Sequence, residues 1–89
     1  MHPALLASLI TFHRKRAKLT QTDLAFYAGV SRFVVQDMEA GRDRTTWRNL
    51  QAVLEVLNLK LEPTGPLVEE WRSLQLDQAA APLKQETLT

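Results

Sequence analysis

The pattern of apolar and polar positions predicts an all-α chain with one short extended segment near residue 60. Apolar residues recur at helical spacing in residues 4–17, in two short segments within 20–41, in 47–57 and in 67–76. Leu59-Lys60-Leu61-Glu62 instead alternates apolar and polar residues before Pro63, which predicts a β-strand. Residues 4–17 and 47–57 each carry two apolar stripes. A small domain core needs one stripe, so we expect a second surface to cover the other.

Residues 20–41 predict two short helices joined by a tight turn, because each helix has its own start and stop signals. Thr20 and Ser31 can cap the two N-termini, and Asp23 can complete a capping box with Thr20. Gly29 permits the left-handed backbone that ends the first helix, and Gly41 offers the next stop. Two helices crossing over so short a turn form a helix-turn-helix, whose second helix enters the DNA major groove.

These residues carry a resemblance to a known family. Leu19-Thr20-Gln21, Leu24-Ala25 and Ala28-Gly29-Val30-Ser31, followed by Met38-Glu39 and Gly41, resemble the helix-turn-helix of phage repressors. The later stretch, Thr45-Thr46-Trp47 through Leu59–Glu62, is similar to HipB-like antitoxins, which are DNA-binding partners of HipA-like kinase toxins. The resemblance covers roughly residues 4–62 and implies a lambda-repressor-like domain of four to five helices.

The distribution of charge supports a nucleic-acid partner for one half of the chain. From His13 to Arg48 there are eight basic and four acidic residues, a net charge of +4, although the whole chain carries only +1. From Asn49 to Thr89 three basic residues stand against six acidic ones, a net charge of −3. A basic half that contains a helix-turn-helix indicates phosphate binding, whereas an acidic half indicates a protein partner or none.

The inventory of reactive residues argues against an enzyme. The chain has no cysteine and two histidines, neither of which stands near a serine in a recognisable arrangement, and its three glycines form no phosphate loop. We therefore expect no catalytic residue, no metal and no cofactor. The chain has no apolar run of about 18 residues and no signal-peptide pattern at its start, so we expect a cytoplasmic protein without a membrane partner.

The exposed start of the second helix of the motif provides the expected base readout. Arg32 can donate a bidentate pair to guanine, Gln36 can do the same with adenine, and Phe33 can press on a thymine methyl group. Ser31 lies beside them. An aromatic residue is unusual for the family at this position, so a packing role or a protein contact is an open alternative for Phe33. Asp37 either accepts from cytosine or orients Arg32.

Phosphate contacts are expected at the margins of the motif. Gln21 stands at a helix N-terminus, where backbone amides attract anions. The remaining candidates follow the second helix of the motif: Arg42, Arg44, Thr45, Thr46 and Arg48. Trp47, in the same stretch, is interpreted as a cap of the core over that helix, with a wedge into DNA as the alternative. Arg14 sits where the family places an arginine that pairs with the glutamate matching Glu39, so the resemblance implies a structural ion pair between them.

The strand at 59–62 predicts a homodimer, since no other segment of the chain can pair with it. The same strand of a second copy, antiparallel across a two-fold axis, is the simplest partner. The dimer would use Leu59, Lys60 and Leu61 together with Val53 and Val56, which belong to the second stripe of residues 47–57. The alternative is that 59–62 is an extended connector.

We expect three parts: a DNA-binding domain at 1–62 ending in the dimerisation strand, a turn and C-terminal helix at 63–76, and a flexible tail at 77–89. The function indicated is a dimeric repressor of a palindromic operator. In the HipB-like version, it is also an antitoxin that binds a HipA-like kinase toxin and represses its own operon. A stand-alone phage-type regulator and a protein-interaction module without DNA binding are the alternatives.

Overall fold

The computed structural model describes residues 2–79, which form five helices. These are α1 (Pro3–Arg16), α2 (Gln21–Ala28), α3 (Arg32–Glu39), α4 (Trp47–Val56) and α5 (Val68–Ala79). The expectation of an all-helical domain of four to five helices is confirmed. Helix α5 continues to Ala79, three residues into the segment expected to be flexible, and residues 80–89 lie outside the described residues.

Local signals in the sequence define the starts of the helices. The Thr20 hydroxyl accepts from the Asp23 amide, and the Asp23 carboxylate accepts from the Thr20 amide, both at 3.0 Å, which completes the predicted capping box. The amide of Thr20 lowers the pKa of Asp23, and the hydrogen bond from the Thr20 side chain adds to that effect. Ser31 and Thr46 cap α3 and α4 through the amides of Val34 and Asn49.

The core lies where α1, α2, α3 and α4 meet. Its completely enclosed side chains come from all four helices: Ile10, Leu24, Val35, Val53 and Leu54. Helix α3 packs on α1 and α2, and α2 also packs on α4. Helix α3 is therefore enclosed on its inner side by two other helices and is free to present its outer side to a ligand.

Val53 corrects one expectation about the dimer surface. Its side chain has no exposed area in the single chain, because it lies in the core formed by α1–α4. It cannot contribute surface to a second copy, so its assignment to dimerisation is wrong. Val56 is only partly buried beside this core, as are Leu59 and Leu61. The helical periodicity of α4 identified its two apolar stripes. It did not show that the core takes Leu50 and Leu54 from one stripe and Val53 from the other.

The segment predicted as a strand is neither helical nor paired in the single chain. The amide of Leu59 bonds to the Leu54 carbonyl at 2.8 Å and closes α4. Beyond it Leu61 turns toward the core, whereas Lys60 and Glu62 are exposed, so the predicted alternation is present. Within residues 2–79 the amides of Lys60, Leu61 and Glu62 have no backbone partner.

A part-buried ion pair joins α1 to the end of α3. The Arg14 Nε and Nη2 atoms donate to the two carboxylate oxygens of Glu39 at 2.6 and 2.9 Å, and Nη1 donates to the Leu19 carbonyl at 2.9 Å. The Arg14 and Glu39 side chains are only 12% and 6% exposed. The pair implied by the resemblance is therefore present, bidentate and largely desolvated.

The pKa of Glu39 is lowered by its contacts with Arg14 and Gln21. Burial alone would raise the pKa, but hydrogen bonds from Arg14 and Gln21, the charge of Arg14 and a hydrogen bond from Thr11 together hold it below its ordinary value of 4.5. Glu39 therefore stays ionised in the folded protein at neutral pH.

The end of α3 is also close to α1 at Gly41, where a Cβ atom would lie 3.8 Å from the Ala4 Cα.

In the part of the chain that the structure describes, no helix has the length and apolar character needed to cross a membrane.

We expect Glu39→Ala to destabilise the fold by about 3 kcal/mol, because it leaves the Arg14 guanidinium desolvated without its counter-charge. Chemical denaturation at neutral pH measures this free energy of unfolding. Asp37→Ala is the matched control: it removes a carboxylate of α3 whose partner, Arg42, is largely exposed, and should cost at most about 1 kcal/mol. Equal losses in the two variants would contradict the role assigned to Glu39.

The same carboxylate predicts a dependence of stability on pH. Because the folded pKa of Glu39 lies below 4.5, the folded protein binds fewer protons at this group than the unfolded chain in that region. The ionised Glu39 contributes its full stabilising free energy at pH values above 4.5. That free energy is lost as the pH falls through the lowered pKa of Glu39 in the folded protein. Urea unfolding at a series of pH values should show a shallower acid loss for Glu39→Gln than for the wild type. An acid loss of stability in Glu39→Gln as steep as in the wild type would contradict this role of Glu39.

Candidate nucleic-acid interface

The turn between α2 and α3 sets the direction of α3. Gly29 ends α2 with a φ of 70°, and the amides of Gly29 and Val30 bond back to the carbonyls of Phe26 and Ala25. A Cβ atom at Gly29 would meet nothing within 4 Å, so the backbone conformation, not the available space, favours glycine there. Ser31 then caps α3 two residues later, as the sequence predicted.

Helix α3 has one buried and one exposed side. Val35 and Met38 lie in the core and fix the rotation of the helix. The opposite side presents the four residues predicted for base readout, of which Gln36 is partly buried and the others are exposed: Ser31, Arg32, Phe33 and Gln36. The structure therefore displays all four on the first turn and a half of one helix.

The hydrogen bonds and exposure of these four residues indicate which of them are available to contact a base. The Ser31 oxygen accepts from the Val34 amide at 3.3 Å, so this hydroxyl is occupied as a cap. The Arg32 guanidinium stands 5.9 Å from the centre of the Phe33 ring. Phe33 is itself 69% exposed, which is inconsistent with a role in packing the core of the single chain. Arg32 and Phe33 therefore form a cationic and aromatic pair on the outer surface of α3.

The residues predicted to contact phosphate occupy two places. Gln21 begins α2, and its Nε2 atom donates to Glu39 at 3.2 Å, which leaves its second amide hydrogen uncommitted. The others follow α3, in the loop and at the start of α4. Arg44 and Arg48 are exposed, Thr46 is occupied as the cap of α4, and Arg42, Thr45 and Thr46 line one groove between that loop and the start of α1.

Two side chains in this region differ from the expectation. Asp37 accepts from Arg42 Nη1 at 2.9 Å, so it orients Arg42 and not Arg32. The reason is that Asp37 lies at the end of α3, where the chain turns back and brings Arg42 beside it. Trp47 does not cover α3 as interpreted: it is 65% exposed at the start of α4 and borders the groove that contains Arg42.

An exposed aromatic pair on α2 was not predicted from the sequence. Phe26 and Tyr27 are both exposed near the end of α2, and their rings meet edge to face with centroids 5.6 Å apart. The helical positions of Leu24, Ala25 and Ala28, which face the core, were the signal that could have placed Phe26 and Tyr27 outside.

The Thr45 Oγ1 atom is buried without a hydrogen-bond partner within the described residues.

A comparison with protein families agrees with this geometry. The family model described as helix-turn-helix matches residues 13–63, which run from the last turn of α1 to the end of the segment at 59–62 and make up more than half of the chain. A search of curated proteins finds no match. The matched range contains the turn at Gly29, the displayed side of α3 and both residues of the ion pair between Arg14 and Glu39. The chain belongs to the helix-turn-helix family of the Cro and C1 repressor type, a family of DNA-binding regulators.

Proposed function

We propose that the protein is a dimeric repressor that reads a palindromic operator through α3. The observation that carries this proposal is the exposed first half of α3, where Arg32 and Phe33 stand outward on a helix whose inner side is fixed in the core. A helix held in this way can enter the major groove without rearranging, so little ordering free energy opposes binding.

Arg32 is the proposed principal contact to a base. Its guanidinium is exposed at the N-terminal end of α3 and can donate two hydrogen bonds to the O6 and N7 atoms of a guanine. Gln36 lies one turn further on and can pair with an adenine. Phe33, beside Arg32, provides an apolar surface for a thymine methyl group. Ser31, whose oxygen is occupied as a cap, can still donate its hydroxyl proton.

The basic loop and the start of α4 supply the proposed contacts to the DNA backbone. Arg44 and Arg48 are exposed, and Arg42 is held by an exposed pair that a phosphate can replace at small cost. Thr46 and the second amide hydrogen of Gln21 add uncharged donors, whereas the predicted contact by Thr45 requires a side-chain rotation, because its Oγ1 atom is buried. Contacts of this kind fix the position of the protein on the duplex but do not distinguish bases.

Pairing of residues 59–62 across a two-fold axis is the proposed basis of the dimer. The unpaired amides of Lys60, Leu61 and Glu62 offer a short ladder to the same segment of a second copy. Leu59, Leu61 and Val56 supply the apolar surface beside it. Such a dimer would place the two α3 helices for half-sites about 34–36 Å apart.

We infer that the protein also serves as the antitoxin of a HipA-like kinase toxin and represses the operon that encodes both. Support comes from the resemblance of Thr45-Thr46-Trp47 through Leu59–Glu62 to HipB-like antitoxins. The test is co-expression with the product of the neighbouring reading frame. Co-purification with a kinase-like protein, together with relief of its toxicity, is the expected result. A neighbouring protein that is not a kinase, or one that does not bind, would favour a stand-alone regulator.

Arg32→Ala and Arg48→Ala should weaken DNA binding in different ways. Loss of Arg32 should cost about 1–3 kcal/mol on the specific operator and relax the preference at one base pair. Loss of Arg48 should weaken binding to all duplexes alike and reduce the slope of log affinity against log salt by about one. Titrations of specific and scrambled duplexes at several salt concentrations measure both effects. Equal losses for both variants on both duplexes would remove the distinction between base and backbone contacts.

Leu61→Pro should convert the dimer to a monomer and abolish most operator affinity, because it removes one amide of the proposed ladder. Leu61→Ala is the matched control, since it loses the same packing against the core but keeps the amide. Sedimentation equilibrium at micromolar concentration separates the two species. A wild-type chain that sediments as a monomer near 10.1 kDa would show that residues 59–62 are only a connector.

A further inference from the structure

The outer surface of α3 carries two different kinds of chemistry side by side. Arg32 and Phe33 are consecutive and exposed, and the Arg32 guanidinium carbon stands 5.9 Å from the centre of the Phe33 ring. A guanidinium donates several hydrogen bonds in one plane, whereas a phenyl ring has no nitrogen or oxygen atom and offers apolar surface. The two side chains therefore recognise different features of DNA, and the distance between them limits how far apart those features can lie.

Arg32 is available to donate to a base. Within the described part of the chain neither carboxylate of α3 holds it, since Asp37 accepts from Arg42 and Glu39 accepts from Arg14. The face of a neighbouring aromatic ring attracts a guanidinium without using any of its N–H groups. Arg32 can thus stand beside the ring and still present its planar set of donors to the O6 and N7 atoms of a guanine.

The separation of 5.9 Å restricts the two side chains, in this arrangement, to the same base pair or to adjacent ones. Successive base pairs are about 3.4 Å apart along the duplex, so two steps span about 6.8 Å before any lateral offset. The pair that Arg32 contacts is G·C, which carries no methyl group in unmodified DNA. A methyl group that meets Phe33 therefore belongs to an adjacent base pair.

The pyrimidine that precedes the guanine on the same strand has the required position. In B-DNA its C5 atom lies in the major groove beside the O6 and N7 edge of the guanine that follows. A methyl group on C5 then meets the Arg32 guanidinium on one side and the Phe33 ring on the other. Thymine carries such a methyl group. The two side chains together therefore fit a thymine followed by a guanine, a TpG step.

The Phe33 ring cannot distinguish thymine from 5-methylcytosine. The two bases share the methyl group on C5 and differ at position 4, where thymine has an acceptor oxygen and cytosine a donor amino group. A phenyl ring has no polar atom that could identify either group. The donors of Arg32 are occupied by the guanine, and Gln36, one turn further along α3, is assigned to a different base pair. The methyl group is therefore the feature that is read at this position.

We propose that Arg32 and Phe33 act as one unit that recognises a guanine preceded by a pyrimidine with a methyl group on C5, whether that pyrimidine is thymine or 5-methylcytosine. This inference rests on the proposed function, because it specifies the base step at which α3 reads the operator. It also makes the affinity for a site that contains a CpG step depend on methylation of the cytosine at C5.

Duplexes that differ by one methyl group test this recognition with the full chain. Selection from random duplexes gives the operator, and the guanine whose preference is lost in Arg32→Ala identifies the step. Uracil in place of the preceding thymine should lower the affinity about fourfold per half-site, the value of one buried methyl group. A second pair of duplexes carries cytosine or 5-methylcytosine at the same position, both opposite guanine. The methylated member should bind more tightly by the same factor.

Phe33→Ala tests whether the ring is the source of the methyl effect. It should remove most of the difference between the thymine and uracil duplexes, because the contact is then absent from both. Thermal unfolding should stay unchanged, since Phe33 is exposed. Phe26→Ala, which removes an exposed aromatic residue of α2, is the matched control and should keep the full difference. A methyl effect of wild-type size in Phe33→Ala overturns the role of Phe33.

The remaining outcomes separate this inference from the proposed function. A selected operator that binds equally well with thymine and uracil at this step overturns the inference and leaves the repressor proposal in place. A selected guanine that follows a purine has the same consequence. A methyl effect for thymine that is absent for cytosine also overturns it, because position 4 is then read as well. Failure to select any sequence overturns both.

Discussion

The bidentate pair between Arg14 and Glu39 is the interaction on which the use of α3 depends. A recognition helix of eight residues has few contacts of its own, so its position must be imposed by its neighbours. Val35 and Met38 fix its rotation through apolar packing, which has no directional preference. The ion pair adds direction, because a guanidinium and a carboxylate meet in one planar geometry. Gln21 joins the same carboxylate and thereby connects the start of α2 to the end of α3.

The polar residues of the domain fall into two groups, one that stabilises the fold and one that is exposed to a ligand. Arg14 and Glu39 are largely desolvated, Gln21 is part-buried, and the three residues hold three helices together. Arg32, Arg44 and Arg48 are exposed and free to meet a ligand. The net positive charge of residues 13–48 therefore resides mainly on the outer surface, where it can attract DNA, while the buried charges neutralise each other.

The sequence predicted best those features that are encoded locally. Thr20, Asp23, Gly29 and Ser31 act through bonds to residues three or four positions away, so their types and spacing were sufficient to place the helix ends. Arg14 and Glu39 are 25 positions apart, and only the resemblance to a family related them. The proposed pairing of residues 59–62 depends on a second copy, not on contacts within one chain.

The incorrect interpretations concern side chains whose surroundings depend on tertiary packing. Val53 is enclosed because residues from both apolar stripes of α4 pack against the other helices. Helical periodicity identifies the stripes but does not show which of their residues contact the neighbouring helices. Asp37 meets Arg42 because the chain reverses at Gly41, a geometry that spacing alone does not reveal. Trp47 stays exposed because it stands in the first turn of α4, before that helix reaches the core.

The central claim is that two copies of α3 read two half-sites on one face of DNA. Selection of binding sequences from random duplexes, followed by hydroxyl-radical footprinting of the selected site, tests this claim most directly. The account predicts a palindromic sequence with two protected regions whose centres are about 10–10.5 base pairs apart. Enrichment of no sequence, or of a site with a single protected region, would contradict it.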